Sequence, residues 1–87
     1  MIRVQTEPFD PHAETAAFAK GRGEAGALAS FIGSVRDSAH GGEVSALELE
    51  AYPGFTEKQI AAIEAEARQR FDVIDTLVVH RYGRMAP

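Results

Sequence analysis

The stretch Leu47-Glu-Leu-Glu-Ala51 alternates apolar and acidic side chains and runs almost directly into a helix start. Side chains along a strand point to opposite faces in turn. Leu47, Leu49 and Ala51 therefore share one face, and Glu48 and Glu50 share the other. Such a strand needs a sheet with one buried face and one face that is wet or covered by a partner. It is the return arm of an expected hairpin over Glu43 to Tyr52. The outgoing arm is Ala25 to Val35, in which Phe31, Gly33 and Val35 point one way while Leu28 and Ile32 point the other. A strand apolar on both faces is expected at the centre of its sheet. Between the arms, Asp37 to Gly42 reads as a loop, with Gly41-Gly42 supplying the freedom that a reversal needs.

Two helices flank these strands. Asp10-Pro11 is a helix opening, since Asp can cap and Pro fits the first helical position. Ala13, Ala16, Ala17 and Lys20 then fall on one face, and Gly21 and Gly23 end the helix. The second helix is expected to begin at Thr56, where Thr56-Glu-Lys-Gln59 fits a capping box and Phe55 and Ile60 a hydrophobic staple. Ile60, Ile63, Ala67 and Phe71 follow as an amphipathic stripe, with Glu64–Arg68 and Glu66–Arg70 at pairing distance along the helix. Short strands at Ile2 to Thr6 and Val73 to His80 complete the order β-α-β-β-α-β. This is an α+β fold, expected as a mainly antiparallel sheet with helices packed on one face. Residues 1–87 read as a single domain, and Gly83 to Pro87 looks like a turn about to feed another element.

Composition narrows the function classes. Apolar residues at 45% and charged residues at 25% match a globular protein and argue against disorder. Much of the apolar count is alanine, which buries little area, so stability should be marginal at this length. The net charge of −4 comes without a basic patch, which excludes the usual electrostatic footprint for nucleic acid. There are no cysteines, hence no disulfide, thiolate metal site or Cys nucleophile. No apolar run reaches membrane-spanning length and no signal-peptide core is visible, so no membrane partner is expected and the cytoplasm is the expected location.

Few residues could carry chemistry. Arg36 stands where the apolar strand runs out, and its planar, permanently charged donor fork suits phosphate or carboxylate. The backbone N–H groups of Gly33 and Ser34 could add contacts. The alternative is a surface arginine paired with Asp37 or Glu43. His12, His40 and His80 lack metal-ligand spacing. His40 could reach a ligand beside Arg36 or be a solvated loop residue, and His80 reads as structural. Glu48 and Glu50 face the same way and could do acid–base work, but a charged sheet face is the commoner role. Tyr52-Pro53-Gly54 is a turn that aims the second helix. Ser30, Ser34, Ser38 and Ser45 show no nucleophile-elbow context, and no phosphate loop or dinucleotide fingerprint is present. No metal and no resident cofactor are expected.

Three blocks together carry a family resemblance: Phe31-Ile-Gly-Ser-Val-Arg36, Leu47-Glu-Leu-Glu-Ala-Tyr-Pro-Gly-Phe-Thr-Glu-Lys58, and His80-Arg-Tyr-Gly83. In order and almost without gaps, the chain resembles the large, catalytic subunit of molybdopterin synthase. The resemblance implies an α/β hammerhead-like fold. It also implies sulfur transfer to cyclic pyranopterin monophosphate, which forms the molybdopterin dithiolene. The sulfur donor would be a small ubiquitin-like subunit carrying a thiocarboxylate on its C-terminal Gly-Gly, and the large subunits would form a homodimer flanked by two small ones. The substrate-contacting segment maps onto Ser34, Val35 and Arg36. Arg36 would hold the anionic precursor, and Phe31 and Gly33 would form the pocket wall.

Two departures accompany this resemblance. Ala51 stands where the family often has histidine. The family's catalytic lysines and a further arginine motif lie in a segment expected beyond Pro87, and Lys20 and Lys58 match neither catalytic position. The catalytic residues are therefore unassigned, and the chain is expected to be truncated at its C-terminus. Two other readings remain. One is a non-catalytic binding or dimerisation module on the same scaffold, and the other is an unrelated ferredoxin-like domain.

Overall fold

The computed structural model describes residues 1–39 and 41–87. The strands are β1 (Ile2–Gln5), β2 (Ser38–Ala39), β3 (Gly42–Glu43), β4 (Leu47–Leu49), β5 (Val78–Arg81) and β6 (Gly83–Met85). The helices are α1 (Pro11–Ala19) and α2 (Phe55–Arg70). The fold is α+β, but the expected mainly antiparallel sheet is not formed. β1 pairs in parallel with β5, with Ile2 opposite Val78 and Val4 opposite His80. β2–β3 and β4–β6 are separate antiparallel pairs. The hairpin exists only as its tip, where Ser38 pairs with Glu43 and the Val44 N–H donates to the Asp37 carbonyl at 2.8 Å.

The largest departure is Ala25 to Val35, expected as the central strand. It forms neither helix nor strand, and no backbone–backbone hydrogen bond joins residues 26–36 to the rest of the described chain. A strand exists only through its neighbours, and β4, its expected partner, pairs instead with β6. Leu47 faces Met85, Glu48 faces Arg84, and Leu49 faces Gly83. Gly83 to Met85 is thus a strand rather than only a turn. The last expected strand is shorter than its apolar pattern, beginning at Val78 rather than Val73.

α1 starts as its sequence demands. The Asp10 carboxylate accepts the His12 and Ala13 N–H groups at 2.9 and 3.2 Å, and Pro11 opens the helix. Such a cap contributes about 1 kcal/mol. The packed face is not the alanine face, however. Pro11, Glu14, Thr15 and Phe18 are half-buried, while Ala13, Ala16 and Ala17 are exposed. Phe18 offers more apolar area than any alanine, and Glu14 is drawn inward by its ion pair with Arg3 on β1.

α2 begins one residue earlier than expected and is capped differently. Gly54 is the N-cap, at φ 87° and ψ −52°, and its N–H donates to the Glu57 carboxylate at 3.0 Å. Thr56 lies inside the helix and turns backward, accepting the Tyr52 N–H at 2.9 Å. Phe55, now the first helical residue, is 60% exposed and cannot act as the outer arm of a staple. The helix lies against β1, with Ile60, Glu64 and Ala67 half-buried, whereas Ile63 and Phe71 stay 67% and 64% exposed.

Met85 is the only apolar side chain that is buried among the described residues. The accessible surface is 6876 Å². A compact monomer of this mass exposes about 5000 Å². The radius of gyration, 15.2 Å, likewise exceeds the roughly 12 Å of a compact domain of this length. The elements are formed, but the described chain does not close around a core of its own.

Candidate functional site

Residues 31–36 lie on the open, unpaired stretch that leads into β2. Phe31 is 95% exposed. A Cβ placed on Gly33 would meet the edge of the Phe31 ring at 3.8 Å, so the two are neighbours, yet they enclose no cavity. Ser34 is exposed and Val35 is half-buried. Arg36 is exposed, and its guanidinium joins no ion pair or hydrogen bond among the described residues. The pairing of Arg36 with Asp37 or Glu43 considered above is not made. An open depression of about 660 Å³ follows Arg36 in the chain, lined by Asp37, Ser38, Glu43, Val44 and Ser45. Its two carboxylates would repel an anion, so any anion-binding capacity here rests on Arg36.

The other candidates are dispersed. His12 is exposed in the first turn of α1, and His80 is half-buried on β5. His40 lies outside the described residues. Glu48 and Glu50 are exposed, and Glu50 accepts the Tyr52 hydroxyl at 3.2 Å. Lys20 is the C-cap of α1, and Lys58 is exposed on α2. No His/Asp/Glu cluster suited to a metal ion occurs among the described residues, and no helix there is long and apolar enough to cross a membrane.

The most connected polar cluster was not anticipated from sequence. Arg22 donates to the Asp75 carboxylate at 2.6 Å and to the Phe18 carbonyl at 3.0 Å, with its guanidinium 4.8 Å from the Phe18 ring centre. Arg68 reaches Asp75 at 3.5 Å and the Thr76 hydroxyl at 3.1 Å. Glu64 takes the Thr76 hydroxyl and lies 3.8 Å from the Met1 amine. Glu64 and Arg68 were expected to pair with each other, but both turn to the segment before β5. The second expected helix pair, Glu66–Arg70, does form, at 3.7 Å. The Thr76 backbone N–H, followed by the Arg22 guanidinium, holds the Asp75 carboxyl below its ordinary range. An acidic residue isolated within Val73-Ile-Asp-Thr-Leu77 was the available signal, since a charge in an apolar run calls for a partner. The cluster borders a cavity of about 240 Å³ with mostly apolar walls, including Phe18, Leu28 and Ile74. It ties the end of α1 and α2 to the segment before β5 and contains none of residues 31–36.

Together these features define a small α+β fold with large faces left uncovered, in which Arg36 on its exposed apolar stretch, like Arg84 on β6, joins no ion pair or side-chain hydrogen bond among the described residues. The chain belongs to the MoaE protein family, whose model matches residues 4–87. It is 56% identical over 86 residues to a molybdopterin synthase catalytic subunit of Ralstonia nicotianae, a match covering 99% of this chain and 49% of that protein. Proteins of the same name in Cereibacter sphaeroides and Mesorhizobium japonicum are 52% and 45% identical, with 58% and 53% of their lengths covered. The chain thus spans about half the length of the curated relatives it matches. No solved structure matches it significantly.

Proposed function

We propose that these residues form the precursor-binding portion of a molybdopterin synthase catalytic subunit. In this reading the whole protein moves sulfur from the C-terminal thiocarboxylate of a small ubiquitin-like carrier to cyclic pyranopterin monophosphate, building the molybdopterin dithiolene. The observation that carries the site assignment is the uncommitted Arg36 guanidinium within a family match that spans residues 4–87. Arg36 holds the anionic precursor by charge-assisted hydrogen bonds, and the adjoining Ser34 and Val35 contact it. Phe31 and Gly33 line the wall once the site is covered. Exclusion of water then strengthens the Arg36 contact, because charge interactions grow as the local dielectric falls. Neither Lys20 nor Lys58 takes part in the transfer, and the groups that do lie outside residues 1–87.

The test supplies the whole protein, which in this reading extends beyond residues 1–87, with thiocarboxylated carrier and precursor and measures molybdopterin formation. Arg36→Ala should weaken precursor use by about 1 to 3 kcal/mol, the scale of a hydrogen bond to a charged group. Unchanged kcat/KM in that variant would remove Arg36 from the site while leaving the sulfur-transfer reading intact.

One observation favours a second reading, a binding and dimerisation module without turnover. The accessible surface exceeds that of a compact monomer by about 1900 Å², an area comparable with a protein–protein interface. This reading expects residues 1–87 to self-associate or bind the carrier while forming no molybdopterin. Sedimentation as a monomer at all concentrations, with no carrier bound, would exclude it.

A further inference from the structure

We draw no further inference here: the strongest candidate, the unpaired stretch 26–36 with its exposed Leu28, Phe31 and Ile32, is an open apolar surface, and nothing in the structure shows what covers it.

Discussion

Replacing Gly54 with alanine isolates the backbone geometry that launches α2. Gly54 sits at φ 87° and ψ −52°, close to the strained γ-turn conformation that L-residues rarely adopt. A Cβ built there meets nothing within 4 Å, so steric collision adds no cost. The Gly54 N–H to Glu57 bond can survive the change, since alanine keeps its N–H. What remains is the conformational penalty, about 1 to 3 kcal/mol for a residue held in a sparsely populated region. Against it stands the smaller freedom of alanine in the unfolded chain, which contributes about 0.4 to 1 kcal/mol of stability. Taking the middle of both ranges, the expected net loss is about 1.3 kcal/mol. For a domain of this size, that lowers Tm by about 5 to 10 °C. Urea and thermal unfolding followed by helical circular dichroism would measure it. Gly26→Ala is the control: Gly26 has no positive φ and also has open space around a built Cβ. That variant should match the wild type or gain up to about 1 kcal/mol. If Gly54→Ala were as stable as the wild type while Gly26→Ala behaved as expected, the assigned turn geometry would be wrong.

Two further expectations concern packing and charge. Met85→Ala removes the one buried apolar side chain of the described residues, which faces Leu47 across β4–β6. It should cost about 2 kcal/mol, the low end for such truncations, measured by urea unfolding; a loss below about 0.5 kcal/mol would mean that this strand pair is not a stability element. Asp75 titrates lower in the folded chain than its ordinary value of 3.8. The unfolded chain therefore binds more protons there, so the stabilisation is present above that value and is lost as pH falls through the lower folded value. Between pH 5 and 3, Asp75→Asn should lose Tm less steeply than the wild type, and identical slopes would show that the Thr76 N–H and Arg22 do not hold the Asp75 carboxylate in solution.

Local signals were legible wherever a few adjacent residues settle the outcome. Asp10 and Pro11 specify the start of α1 because the cap and the constrained φ act within one turn. For α2, the sequence pointed to Thr56 with Gln59, but Gly54 takes the N-cap at positive φ and its N–H bonds Glu57. Of the candidate site, sequence could name Arg36 as a cation at the end of an apolar run but not an enclosure, because Phe31 and Gly33 enclose nothing within the described residues. The family was legible from three sequence blocks, whereas the Arg22–Asp75–Arg68 cluster was not, since it joins residues 53 positions apart in the chain.

By itself, the sequence determined the α+β class, both helices and the place of a cation, Arg36, at the end of an apolar run. Hydrophobic spacing and capping groups act over a few residues, and these features need nothing more. Only the tertiary structure decided which strands exist and which faces are covered. The apolar stretch 25–35 has the composition of a central strand yet forms no ladder, while Gly83 to Met85, with no alternating pattern, becomes β6 because β4 offers it hydrogen bonds. A strand's free energy resides in its partner's N–H and C=O groups and in the side chains across the ladder, and no segment's own sequence encodes where that partner lies.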